Sequence, residues 1–102
     1  MPKGYWIARV DVTDAEAYKD YVAANAIAFA KFGGRFLVRG GRVEAVDGES
    51  RQRNVVIEFP TYEAALSCWR SPEYQHAYKL RAKCSIGDTV VVEGYEGPQP
   101  GT

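Results

Sequence analysis

The chain has 102 residues, 46% of them hydrophobic and 25% charged, a composition suited to one soluble globular domain with a real core. Thirteen basic residues balance thirteen acidic ones, which argues against the basic face a nucleic-acid binder needs and favours self-association over colloidal repulsion. No apolar run reaches bilayer length, and Met1-Pro2-Lys3 leads directly into strand-like residues. The expectation is therefore a chain without a secretory signal or membrane span, placed in the cytoplasm. Cys68 and Cys84 form no C-x-x-C motif and His76 is the only histidine, so two reduced thiols are expected and no metal site.

In chain order, residues 4–12 alternate as a strand, with Trp6, Ala8, Val10 and Val12 on one face and Tyr5, Ile7, Arg9 and Asp11 on the other. Thr13 and Glu16 match a capping box, so a helix should begin at Asp14. Its stripe of Tyr18, Tyr21, Val22, Asn25, Phe29 and Phe32 runs to a left-handed stop at Gly33-Gly34. Residues 35–39 read as a second strand, with Phe36 and Val38 on one face and Arg35, Leu37 and Arg39 on the other. A bulge at Gly40-Gly41, an extended run over residues 42–46 and a hairpin tip at residues 47–50 are expected to follow. Counting back from a Val46–Arg51 pair sets Val38 opposite Phe59 and Arg39 opposite Glu58, unless a bulge shifts the register.

Val55, Val56, Ile57 and Phe59 compose a buried strand, which Pro60 should end because it cannot donate to a sheet ladder. Thr61 supplies an N-cap oxygen, Glu63 suits the helix dipole, and Tyr62, Ala65, Leu66 and Trp69 form an apolar stripe. Ser71-Pro72 restarts a helical segment that ends near Lys83. Residues 89–95 read as the last strand, with Val90 and Val92 on one face and Val91 and Glu93 on the other.

Strand, helix, strand, strand, helix, strand is the ferredoxin-like βαββαβ pattern of the α+β class, with a four-stranded antiparallel sheet and the helices on one face. Residues 1–96 make a single domain and residues 97–102 a flexible tail. Val38, Val90 and Val92 are assigned to the helix-covered face. The opposite face mixes Ile7, Leu37, Val56 and Val91 with Arg9, Arg35, Arg39, Glu58 and Glu93, as a contact between the sheets of a homodimer requires.

G-Y-W-I-A-R-V-D-V-T-D at residues 4–14, G-G-R-F-L-V-R-G-G at 33–41, V-V-I-E-F-P at 55–60 and R-S-P-E-Y at 70–74 resemble the bacterial family catalogued as domain of unknown function 1330. The resemblance spans nearly the whole chain to about residue 96. It implies the dimeric α+β barrel superfamily, whose members include monooxygenases lacking metal or flavin, muconolactone isomerases and chlorite-dismutase-like haem proteins. Fold analogy alone selects none of these activities.

Three residues are candidate catalytic groups. Arg39 can hold a carboxylate or enolate while Glu58 moves a proton, or the two form a cross-strand ion pair; Arg9 and Glu93 form a similar pair. Histidine is the side-chain type suited to proton transfer near neutral pH, so His76 is a candidate base or haem ligand, or else a surface residue. Tyr5, Trp6, Tyr18, Tyr21, Trp69 and Tyr74 can line a pocket for a flat aromatic or acyl substrate, or simply fill the core. RNA-recognition domains share this strand and helix order, but the central strands here offer the open face only one aromatic, Tyr5, at an edge, so no nucleic-acid partner is expected. No P-loop, dinucleotide-binding glycine pattern or G-x-S-x-G is present. The reading is a homodimer binding a small hydrophobic or carboxylated metabolite without a cofactor, with oxygenase- or isomerase-like activity, or a non-catalytic binding module.

Overall fold

The computed structural model describes residues 1–101; Thr102, the last residue of the expected tail, lies outside them. The elements are β1 (Gly4–Val12), α1 (Ala15–Phe32), β2 (Arg35–Arg39), β3 (Arg53–Phe59), α2 (Tyr62–Arg70), α3 (Pro72–Ala82) and β4 (Ser85–Glu93). The sheet order is β2-β3-β1-β4, with every pair antiparallel. This is the ferredoxin-like α+β arrangement, with the helices packed on one sheet face.

Local chemistry accounts for the helix boundaries. Asp14, rather than Thr13, caps α1: its side chain accepts from the Ala17 amide, so the acidic residue one position later takes the role the capping box assigned to threonine. Gly33 closes α1 in the left-handed region at φ 75°, as glycine allows without a Cβ clash. Thr61 caps α2, and Ser71 caps α3 ahead of Pro72. A Cβ on Gly4 would lie 2.5 Å from the Thr61 carbonyl oxygen, so only glycine lets β1 begin this close to the start of α2.

The register follows from the partners of β1. On the helix-covered face, one row across the sheet is Phe36, Ile57, Trp6 and Val91, and the next is Arg39, Val55, Ala8 and Thr89. On the open face, Val38, Val56, Ile7 and Val90 form an apolar row beside a row of Arg35, Glu58, Tyr5 and Val92.

Several expectations are corrected here. The bulge sits at Leu37, between Phe36 and Val38, and not at Gly40-Gly41. One extra residue inverts the alternation beyond it, so Val38 turns to the open face and Arg39 to the helices. Arg39 pairs with Val55, and the partner of Glu58 is Arg35; the expected Arg39–Glu58 and Val38–Phe59 pairs do not form. Strand β4 begins four residues earlier than expected, and Val91 rather than Val90 or Val92 packs towards the core. Arg9 pairs with Asp88 and Glu93 with Gly4, so Arg9 and Glu93 are not neighbours. Residues 42–46 are not a strand: the chain between β2 and β3 is a loop. Arg51 returns that loop to the sheet, donating to Asp11 (3.0 Å) and Asp88 (3.2 Å), while the Gln52 amide donates to Asp11 (2.8 Å).

Trp6 is the centre of the core. Its indole N–H donates to the Ala65 carbonyl (2.8 Å), and its ring meets Phe29, Phe59, Trp69 and Tyr74 at centroid distances of 4.7 to 5.5 Å, mostly edge to face. That geometry suits the aromatic quadrupole and ties β1 to all three helices and to β3.

Candidate functional site

A cleft opens between α1, α3 and the helix-covered face of the sheet. Its apolar wall includes Trp6, Phe29, Phe36, Val55 and Ile57. Its polar groups are Tyr18, Tyr21, Asn25, Tyr74, Arg39, Arg53 and Arg81. The space between the lining atoms totals about 410 Å³, but only about 20 Å³ of it admits the centre of a water-sized sphere. The second figure governs occupancy: in this conformation the cleft holds about one water, and a larger ligand enters only as lining side chains move. Arg39 is the exposed one.

Each polar group reaches the cleft for a local reason. Tyr18, Tyr21 and Asn25 stand on the buried stripe of α1; Tyr74 and Arg81 are on the buried side of α3. Arg53 opens β3, and Arg39 closes β2 beyond the bulge. The Tyr21 and Tyr74 hydroxyls lie 3.0 Å apart in a mutual hydrogen bond. Arg81 is 7% exposed, donates to Thr89 Oγ1 (3.3 Å) and lies over the Tyr21 and Tyr78 rings. The Arg53 guanidinium lies over Tyr18, and that of Arg39 over Phe36.

Burial pushes the Tyr74 and Tyr18 phenols above the usual range; the neighbouring Tyr21 adds to this in both cases, against a smaller opposing effect of the arginines. Both therefore stay protonated at neutral pH and can only exchange hydrogen bonds there. Behind the cleft, burial and then the Glu73 charge push the Cys68 thiol from 9.0 up to about 12. The unfolded chain releases that proton near pH 9 while the folded chain keeps it. Stability is therefore full below pH 9 and falls by about 1.4 kcal/mol for each further pH unit as pH rises towards 12. Urea midpoints measured from pH 8 to 10.5 should decline accordingly, and less steeply in Cys68→Ala; a flat profile would contradict the assignment.

The structure separates the sequence candidates. Trp6, Tyr21 and Tyr74 line the cleft, and Trp69 stands behind it against Trp6 and Tyr74. Tyr5 is on the other sheet face, donating to Glu58 Oε2 (3.1 Å), and Glu58 is 3.9 Å from Arg35. Arg39 and Glu58 thus point to opposite sides of the sheet. His76 lies on the exposed side of α3, outside the lining. Tyr18, named with the other aromatic residues, also lines the cleft, whereas sequence reasoning did not single out Arg53, Arg81 or Asn25 as site residues. Two signals pointed there: Asn25 is polar within the apolar stripe of α1, and Arg81 follows Tyr74 and Ala77 at helical spacing, a charge where the pattern puts the core. Among the described residues no group of three or more His, Cys, Asp or Glu gathers, and no helix is long and apolar enough to cross a membrane.

The family model described as domain of unknown function (DUF1330) matches residues 3–95. The chain belongs to that family. Among curated proteins none matches this DUF1330 chain significantly. Among solved structures, a protein of unknown function from Rhodopseudomonas palustris is similar, with TM-score 0.72, 20% identity, and coverage of 97% of this chain and 85% of that one. SnoaB, a cofactor-independent oxygenase from Streptomyces nogalater, matches with TM-score 0.65 and 15% identity over 98% of this chain and 99% of its own. A dimeric ferredoxin-like protein of unknown function from Thermobifida fusca matches with TM-score 0.59 and 15% identity over 90% and 89%. At these identities the likeness establishes the fold.

Proposed function

We propose that this DUF1330 protein is a cytoplasmic homodimer that binds a small planar, hydrophobic or carboxylated metabolite in the cleft between helices and sheet. The observation that carries the reading is the cleft itself: an aromatic recess with convergent polar side chains, two of them holding buried atoms without hydrogen-bond partners. The compartment is supported by two free, buried thiols. The dimer is supported by the apolar row of Val38, Val56, Ile7 and Val90 on the open sheet face and by the dimeric ferredoxin-like relative of T. fusca. Two such faces in contact form the α+β barrel.

The chemistry that fits best is oxygenation without metal or flavin, in which the electron-rich substrate itself reacts with oxygen and the protein supplies a dry, shaped recess. SnoaB, of the same fold, is a cofactor-independent oxygenase. A second reading, non-catalytic ligand binding, is favoured by one specific observation: among the described residues no carboxylate or histidine lines the cleft to move a proton.

Native mass spectrometry of the purified protein is the first experiment. The expected spectrum is a dimer with a retained small molecule, or one that takes up aromatic metabolites from a cell extract. Oxygen uptake with the recovered compound separates catalyst from carrier. A monomer that retains nothing and takes up nothing contradicts the proposal.

A further inference from the structure

Five ion pairs are formed among the described residues, and they engage Glu16, Glu58, Glu73, Asp11 and Asp88. None involves Arg39, Arg53 or Arg81. Three guanidinium groups therefore converge on one cleft that contains no acidic side chain. Buried charges in folded proteins are ordinarily paired, because removing an ion from water is costly and only a counter-charge offsets it. Arg81 sits in the last turn of α3, where the helix dipole favours a cation, and its aromatic neighbours help. Those contributions are small beside the desolvation of a residue only 7% exposed; the half-buried Arg53 has the Tyr18 ring but no counter-charge either, while Arg39 keeps its contact with water.

A second, independent observation comes from atoms rather than charge. Arg53 Nε is buried without an acceptor, and Asn25 Oδ1, in a residue 5% exposed, is buried without a donor. Both residues line the cleft. One unsatisfied atom gives a hydrogen bond and the other takes one, so a ligand carrying both an acceptor and a donor completes them. A neutral molecule, water included, could meet both atoms but would leave the positive charge unbalanced.

We propose that the cleft recognises a planar organic anion, an aromatic carboxylate with a hydroxyl or amide donor elsewhere on the molecule. Its carboxylate meets Arg53 and Arg81, its donor meets Asn25 Oδ1, and its ring lies among Trp6, Tyr21 and Phe29. Arg39, exposed at the rim, swings aside to admit it and closes behind it as the third cation. This inference rests on the cleft being the ligand site. It goes further by naming the charge, and with it the class, of what enters. It also explains why the cleft has no base: a carboxylate arrives already ionised at neutral pH, and two raised phenols leave it unopposed.

The test uses benzoate, cinnamate and 4-hydroxybenzoate against the corresponding amides, which match them in shape and lack the charge. Binding is followed by the fluorescence of the Trp6–Trp69 pair and by melting temperature, in buffer low in chloride and free of sulfate and phosphate. The acids should bind saturably and at least tenfold tighter than their amides, with 4-hydroxybenzoate ahead of benzoate. Arg81→Met should abolish the preference for acids. It should also melt no lower than the wild type without ligand, because it removes an unpaired buried charge. Arg53→Met, at a less buried position, provides the same comparison if Arg81→Met fails to fold. Acids and amides binding equally would overturn the anion inference and leave the cleft as the ligand site. No binding from either series would overturn the cleft reading with it.

Discussion

Trp6→Ala is expected to destabilise the protein by about 3–5 kcal/mol, the usual cost of emptying a large aromatic site in a packed core. Three contributions combine. The ring is 2% exposed and touches four other aromatic rings, so its loss leaves a cavity that edge-to-face neighbours cannot close without giving up their own geometry. The indole N–H bond to the Ala65 carbonyl, which ties β1 to α2, is also lost. Trp6 further links the sheet to α1 and α3 through Phe29 and Tyr74, so the loss is spread over every layer contact. Domains of this size are stable by about 5–15 kcal/mol, so the variant should be marginal or unfolded at 37 °C. Trp6→Phe keeps a ring and loses the hydrogen bond, and should cost roughly 1–3 kcal/mol. Urea unfolding at one fixed protein concentration measures both; a Trp6→Ala loss below about 1.5 kcal/mol would show that the aromatic cluster can repack.

Ile7→Glu should split the proposed dimer and leave the fold of each protomer intact. Ile7 is 40% exposed at the middle of the apolar row Val38, Val56, Ile7 and Val90, so in an isolated chain a glutamate there reaches water at little cost. Against a second sheet the same carboxylate would be buried without a partner, which costs about 3–5 kcal/mol and weakens association by a hundredfold or more. Val90→Glu, one strand away in the same row, should act alike. Ile27→Glu, on the exposed side of α1, is the control and should leave the dimer unchanged. Sedimentation or light scattering with chromatography reads the mass, and circular dichroism confirms that the helices remain. A dimer that survives both Ile7→Glu and Val90→Glu would mean the association uses some other surface.

How the chain presents its open face and its cleft depends on two strand phases, and these mark the limit of what local reasoning reaches. Residue chemistry alone determined the element order, the start of α1 beside Asp14, the stop at Gly33, the break at Ser71-Pro72 and the inward face of Trp6. Caps, turns and helical periodicity are interactions within a few residues, so the information is present wherever those residues are. That element order already pointed to the ferredoxin-like fold, and the family match and the sheet topology agree with it.

The tertiary structure decided the rest. In β4, Val90, Val91 and Val92 are chemically alike, so nothing in that run says which of them turns inward; pairing with Trp6 selects Val91. In β2, the extra residue Leu37 inverts the alternation, and whether a strand bulges depends on the neighbour it must match. That single residue moves Arg39 from the face of Glu58 to the cleft. Arg53 and Arg81 meet Arg39 there because β3 turns back to pair with β2 and α3, from much further along the chain, lines the same cleft. A period of two specifies alternation but not phase, and no local pattern records which distant cations will share a cavity. The fold could therefore be read from the chain, whereas the positive cleft exists only once the chain has closed around it.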